Sequence, residues 1–443
     1  MPDRGLDRAF GPSTATFVVI ASMVGAGILI SPGYMMASLQ NYPVIFGLWA
    51  LGGLLALCGA LCVAELAAAL PYAGGDYVYL REAFGPCPAF LSGWTAFLLG
   101  FSAPLAVAGY MAAQYMLSAF GVPEGGVQLT AAVIILAVTL PNVLGHRQSA
   151  WTQDLTTILK LVMFVALVVA GFGFGKGDLD HIRTGREVNT IPLSTAATQL
   201  YYVLFAYCGW NAASYLAGEV RDPSKTLPRA LLLGTGVVTA LYLAVTLVFA
   251  YAIPPGDVAF VDAEKVPQIA VERLFGLRAV GAFSVAVGVT FLATVSAYVV
   301  TGPRIYYAMA CDGLFPSFAA RLSANGRVPV LAMLAQSGCA IVLLFATDFQ
   351  QLYQYASVGL SLFSMLAIAA VFVLRRRRPN MIRPFRVPGY PAVPAVFLVV
   401  TLFMAGFAFV EWPAPSIYSL ASILAGVPVY YVWSQFSRRR ERS

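Results

Sequence analysis

Twelve predominantly apolar stretches follow one another along the chain with short polar links between them. They fall at about 14–38, 43–70, 88–120, 127–143, 152–174, 194–217, 230–253, 279–310, 328–345, 352–374, 391–410 and 416–433. A hydrocarbon core about 30 Å thick is crossed by a helix of about 20 apolar residues. A chain with this succession is expected to be an all-α polytopic membrane protein with 12 transmembrane helices, here numbered helix 1 to helix 12. The charge content agrees. Only 11% of the residues are charged, against about 25% in soluble domains. So few charges could neither coat a soluble protein of this size nor keep the chain disordered. No link is long enough to fold as a soluble domain. The polar N-terminal tail runs straight into a full-length span, so no cleavable signal peptide is expected.

Cations set the orientation. Twenty of the 27 lysines and arginines lie in or beside the N-terminal tail, the links that follow even-numbered helices, and the C-terminal tail. Six lie on the other side: Lys176, Arg183, Arg186, Lys265, Arg273 and Arg278. The positive-inside rule then places both termini in the cytoplasm of a multi-pass protein of the cell membrane. The four arginines at 375–378 read as a cytoplasmic anchor, not as a nucleic-acid site. The two histidines, His146 and His181, fall in links on opposite sides, which argues against a histidine metal site. None of the six cysteines falls in an external link, so no disulfide framework is expected. Cys58 and Cys62 read as small packing residues. No cofactor or metal is implied.

Two helices carry signs of interruption. Helix 1 has Gly25-Ala26-Gly27 near its middle, and helix 6 has Tyr207-Cys208-Gly209. Glycine in membrane helices mostly serves close packing, and that explains most of the 40 glycines here. These two sites, however, lie five helices apart. Five is odd, so a second five-helix unit enters the membrane from the opposite side. That is the inverted-repeat plan of secondary transporters, whose discontinuous helices bind substrate at the midplane. The first repeat would cover 14–175 and the second 193–374. Helices 11 and 12 would follow within 390–436, with tails at 1–13 and 437–443. A half-helix starting after Gly25 presents unpaired N–H groups and a positive dipole end, which suit a carboxylate. Half-helices ending at the breaks present carbonyls, which suit an ammonium group. An α-amino acid carries both.

One cation remains. Lys160 lies about eight residues into helix 5. A charge at depth costs about 2.5–3.5 kcal/mol on insertion scales and marks a functional residue by default. The preferred reading puts its ammonium in the crevice between helices 1 and 8, bonded to backbone carbonyls and a hydroxyl, where a sodium ion would otherwise sit. The alternative is snorkelling to the cytoplasmic interface.

Several motifs carry a family resemblance. After helix 2 comes AELAAALPYAGGDYVYLREAFGP, then Gly93-Trp94. Helix 6 reads FAYCGWN at 205–211, followed by GEVRDPSKTLPRA. TGPRIYYAMACDGLFP ends helix 8, RPFRVPGYPAVP precedes helix 11, and GVPVYYVW ends helix 12. In this order the motifs resemble the amino acid–polyamine–organocation superfamily, and within it the L-type amino acid transporter group. The resemblance covers nearly the whole chain. It implies a five-plus-five inverted repeat with two further helices. It implies that the substrate carboxylate meets backbone amides at Gly25, Ala26 and Gly27. The amine would meet the Met23 carbonyl and carbonyls near Phe205 and Cys208, beside Gly209. Phe205 would be the aromatic gate, Asn211 a polar residue beside the break, and Tyr242 a tyrosine supporting the pocket. Lys160 matches a helix 5 lysine of the family, with Thr290 as its hydroxyl partner.

The departures are informative. Ala26 stands where relatives often have serine, so backbone amides must suffice. Cys208 replaces a smaller or more polar residue and should trim the pocket. The link GVPEGG holds no cysteine, so no disulfide-linked heavy chain is expected and the protein should act as a monomer among membrane lipid. Elsewhere, GFGFGKG around Lys176 fails the phosphate-loop pattern, since Gly177 replaces the Ser/Thr. Glu65 reads equally as a gate and as one half of a structural ion pair, and Glu219, Arg221 and Asp222 read as a solvated loop.

The expected function is sodium-independent transport of small neutral L-amino acids such as alanine, serine or valine by alternating access. Neutrality follows from the lack of an acidic residue at mid-depth in helices 1, 3, 6, 8 and 10. Exchange is the expected mode, proton symport through Lys160 the alternative, and an amino acid sensor the remote one. No nucleophile–base pair or metal set at depth points to an enzyme.

Overall fold

The computed structural model describes residues 10–72, 74–144, 150–258, 260–311, 313–323 and 329–440. His146 lies outside them. Among the described residues there is no β-strand; the only bridges are Phe10 with Val220 and Asn41 with Gly185. Among the described residues eight helices are long and apolar enough to cross a membrane. A bent pair, Pro12–Met23 and Ala26–Leu39, forms helix 1. The shorter Val127–Val143 and Val330–Ala346 are helices 4 and 9. The interrupted helix 6, beginning Leu193–Ala206, brings the segments to the expected twelve.

The helix ends follow from local chemistry. Helix 2, Tyr42–Ala69, starts behind Asn41, whose side chain accepts the Val44 N–H at 2.9 Å. Helix 7 spans Pro223–Ala252 and so begins seven residues before the sequence reading, because Pro223 occupies a first-turn position where its missing N–H costs nothing. Helix 6 breaks where the sequence places its interruption, and its second half is short. The run at 194–217 is not one continuous helix. After Ala206 the chain turns through five residues, and only the four-residue helix Ala212–Tyr215 follows. Helix 3, Pro86–Ala119, contains a π-helical stretch at Ala96–Ser102. A further short helix, Asp76–Phe84, lies between helices 2 and 3.

The chain divides into two units. The first holds the chain up to Tyr79, Leu159–Phe283 and Ser364–Glu411. It therefore contains helices 1, 2, 6, 7 and 11 and most of helix 5. The second holds Leu80–Ile158, Ser284–Phe363 and the chain from Trp412, with helices 3, 4, 8, 9 and 12. Helices 1 and 2 thus share a unit with 6 and 7, and helices 3 and 4 with 8 and 9. Counterparts five helices apart are grouped in the same unit.

Lipid is as apolar as leucine, so helices here associate through close packing and interhelical hydrogen bonds. In the first unit a Cβ on Gly27 would strike the Ala206 backbone, and one on Gly59 would strike the Trp210 ring. Trp49, Tyr207 and Tyr242 form an aromatic cluster with centroids 5.2–5.9 Å apart. Each such contact contributes about 0.5–1.5 kcal/mol beyond its buried area. In the second unit polar contacts tie the helices. The Thr139 and Ser337 hydroxyls lie 2.8 Å apart, the Gln336 amide donates to the Tyr298 carbonyl at 2.9 Å, and the Trp94 indole donates to the Ser422 carbonyl at 2.7 Å. Helices 4 and 5 turn apolar stripes outward, among them Leu129, Val133, Leu136 and Leu140 on the former and Val162, Val165 and Val169 on the latter. These spacings of three and four residues mark lipid-facing sides.

Candidate functional site

The first unit contains both helix interruptions. The first half of helix 1 closes with the Val24 N–H bonded to the Ile20 carbonyl at 2.9 Å. Gly25 then occupies the N-cap of Ala26–Leu39, with no side-chain cap, and the two halves bend by 42°. Helix 6 stops at Ala206. Gly209 follows with φ +103°, a left-handed conformation that only glycine adopts without strain, and its Cα faces the Ser22 carbonyl. A side chain at either Gly27 or Gly209 would push the two helices apart. The two interruptions are therefore packed on each other. The Ser31 hydroxyl fastens them further by donating to the Tyr202 carbonyl at 2.7 Å.

Tyr242 on helix 7 joins both. Its hydroxyl lies 2.6 Å from the Met23 carbonyl oxygen and 2.9 Å from that of Ala206. These carbonyls end the two half-helices, where the chain has no continuing turn to bond them. One phenolic proton serves both, and each carbonyl keeps a lone pair. The Phe205 carbonyl is also partly used, accepting the Cys208 N–H at 3.0 Å. The resulting group holds uncapped N–H donors after Gly25 and carbonyl acceptors at Met23 and Ala206. A zwitterion with one anionic and one cationic end matches this arrangement.

The sequence-predicted residues divide accordingly. Met23, Gly25, Ala26, Gly27, Phe205, Cys208, Gly209 and Tyr242 all belong to the two interruptions and the tyrosine between them. Phe205 is buried and Cys208 half-buried. Asn211 is turned to another task, since its amide donates to the Asp76 carboxylate at 3.0 Å. Thr290 belongs to the second unit, and its hydroxyl donates to the Val287 carbonyl at 2.7 Å. Lys160 is buried, only 8% exposed, on the same face of helix 5 as Phe164 and Leu167. That burial does not match a side chain extended to water. The expected hydrogen bonds of its ammonium are also missing: Lys160 makes no hydrogen bond or ion pair among the described residues.

Other readings change as well. Glu65 is 2% exposed and fully engaged. The Arg375 Nε donates to it at 2.8 Å, the Val387 N–H at 2.7 Å, and the Arg383 Nε lies 3.4 Å away. Arg375 also covers the Tyr390 ring at 3.8 Å. Of the two readings of Glu65, the structure gives the ion pair, and Arg375, half-buried, is its partner instead of a surface anchor. The 219–222 loop is not merely solvated. Its backbone pairs with Phe10, whose N–H reaches the Glu219 carbonyl and whose carbonyl takes the Arg221 N–H. Among the described residues all six cysteines are free, and no cluster of metal-binding side chains occurs.

Paired interruptions inside a polytopic helical membrane protein are the plan on which many secondary transporters are built. The chain belongs to the amino acid permease family, whose sequence profile matches residues 10–433. It is 30% identical to the serine/threonine exchanger SteT of Bacillus subtilis over 97% of both chains. It is 28% identical to the mouse b(0,+)-type amino acid transporter 1, over 97% of this chain and 88% of that one. It is 29% identical to the human cystine/glutamate transporter, over 94% of this chain and 83% of that one. The resemblance to the amino acid–polyamine–organocation superfamily and its L-type group therefore holds. The protein is an integral membrane transporter and not an enzyme.

Proposed function

We propose that this protein exchanges small neutral L-amino acids across the cell membrane by alternating access, without sodium. The observation that carries the reading is the Tyr242 hydroxyl between the Met23 and Ala206 carbonyls, beside the uncapped half-helix that begins at Ala26. In this reading Gly25, Ala26 and Gly27 bind the carboxylate through backbone N–H groups. Met23 and the helix 6 turn bind the ammonium group, and Phe205 closes over the substrate. Cys208 and Gly209 line the side-chain end, and Asn211 supports it through the arm that follows. The common part of every α-amino acid is then held without a charged side chain. The name of one relative, a serine/threonine exchanger, favours small side chains.

The chain is read with repeats at 14–175 and 193–374, both termini in the cytoplasm, no disulfide-linked heavy chain, and a monomeric state in lipid. Proton symport through Lys160 is the second reading. The burial of that lysine, which makes no hydrogen bond or ion pair among the described residues, favours it. A competition panel tests the substrate class. Labelled L-serine uptake should be inhibited by small neutral L-amino acids. Inhibition by arginine or glutamate as strong as by alanine would overturn neutrality.

A further inference from the structure

The sequence Gly74-Gly75-Asp76 wraps around one residue of the short arm beyond the helix 6 interruption. The Gly74 N–H donates to the Tyr215 carbonyl at 3.3 Å. The Tyr215 ring lies against Gly75, where a Cβ would approach it to 2.8 Å. The Tyr215 hydroxyl donates to the Asp76 Oδ2 at 3.2 Å, and the Asn211 amide donates to the same oxygen at 3.0 Å. Backbone, ring and hydroxyl of Tyr215 are thus all held by three consecutive residues. The arm they hold, 211–215, begins two residues after Gly209.

The other carboxylate oxygen is anomalous. Asp76 Oδ1 is closed off from solvent and has no hydrogen-bond partner among the described residues. A buried ionised carboxylate normally binds a cation or fills every lone pair. Here no lysine or arginine among the described residues pairs with it; the titratable groups facing it are Tyr215 on the arm and Tyr79 on its own short helix. Its residue lies at the start of Asp76–Phe84, between helices 2 and 3 and on the side read as cytoplasmic.

We propose that Asp76 is a proton-responsive latch on the arm of helix 6, a positioning residue that governs how readily the arm leaves its place during transport. Burial pushes its carboxyl up to about 6, against the hydrogen bonds from Tyr215 and Asn211 that lower it. Once the arm moves and water reaches Oδ1, the group returns to about 3.9. Protons therefore bind the latched arrangement more tightly. The latch is fully held below the lower value and is released as cytoplasmic pH rises through about 6.

The inference rests on the exchange reading, and the experiment separates the two. Proteoliposomes loaded with unlabelled L-serine are assayed for uptake of labelled L-serine while only the pH on the cytoplasmic face is varied. Between roughly pH 5.5 and pH 8 a group titrating near 6 changes its ionised fraction about fourfold, and the exchange rate should rise by that factor. Asp76→Asn should give a flat profile. Tyr215→Phe removes a donor to the carboxylate and should move the midpoint upward. An Asp76→Asn profile superimposed on the wild type, or an unmoved midpoint in Tyr215→Phe, would overturn the latch. Should Asp76→Asn fail to fold, Tyr215→Phe decides alone. Exchange that is present but indifferent to cytoplasmic pH overturns the latch and leaves the exchange reading standing. No exchange at any pH overturns the exchange reading itself.

Discussion

The hydroxyl of Tyr242 lies 2.6 Å from the Met23 carbonyl and, on its other side, 2.9 Å from that of Ala206. One side chain on helix 7 thereby fixes the ends of both interrupted helices. Tyr242→Phe keeps the ring packed against Trp49 and Tyr207 but leaves two buried carbonyls short of a donor. A buried group left unsatisfied costs about 1–3 kcal/mol. Exchange should fall by roughly tenfold or more with the protein still folded, read as initial uptake rate at matched protein density. An unchanged rate would show that the two carbonyls do not depend on the phenol.

Gly27 touches the Ala206 backbone with no room for a Cβ. Gly27→Val should separate the two interruptions and abolish transport. Thermal unfolding in detergent should show a lowered midpoint, since overpacking costs about 1–3 kcal/mol. Gly236, whose Cβ position is open, is the control: Gly236→Ala should leave both rate and midpoint unchanged.

Glu65, almost closed to water, pairs with both Arg375 and Arg383. Removing one partner of a buried pair costs about 3–5 kcal/mol, because the remaining charge is left uncompensated. Glu65→Ala should therefore lower the unfolding midpoint more than Arg375→Ala, which leaves Arg383 and the Val387 N–H in place. Equal and small shifts in both would mean that the cluster contributes little to stability.

Lys160→Ala should sharply reduce transport while the protein still folds, because a buried ammonium at this depth is retained for function. Size-exclusion profile and uptake rate are the two measurements. Wild-type uptake in the variant would reduce Lys160 to a packing residue. Strong stimulation by sodium, absent with potassium, would contradict its role in place of a sodium ion.

Local features of the fold were readable in sequence, and long-range pairings were not. Twelve apolar runs announce twelve segments because each must match the bilayer. Gly25-Ala26-Gly27 and Cys208-Gly209 mark the interruptions because glycine at these places removes the Cβ that close packing forbids. The shortness of the arm after the helix 6 break is not legible, since 212–217 stays apolar after the turn, and hydropathy cannot distinguish a short arm from a continuing helix. The π-helical stretch at Ala96–Ser102 is hidden inside an unbroken apolar run for the same reason. Glu65 finds Arg375 across 310 positions, and Asp76 finds Asn211 across 135. Nothing local to either carboxylate names its partner. The motifs around them, RPFRVPGYPAVP and AGGDYVYL, acquire a physical reason only once the chain is folded.

The central claim, obligatory exchange, is tested most directly by comparing proteoliposomes preloaded with unlabelled L-serine with proteoliposomes that are empty. Preloaded vesicles should take up labelled L-serine rapidly and empty vesicles hardly at all, with or without a pH gradient. Strong uptake into empty vesicles driven by an inward proton gradient would contradict exchange and establish symport.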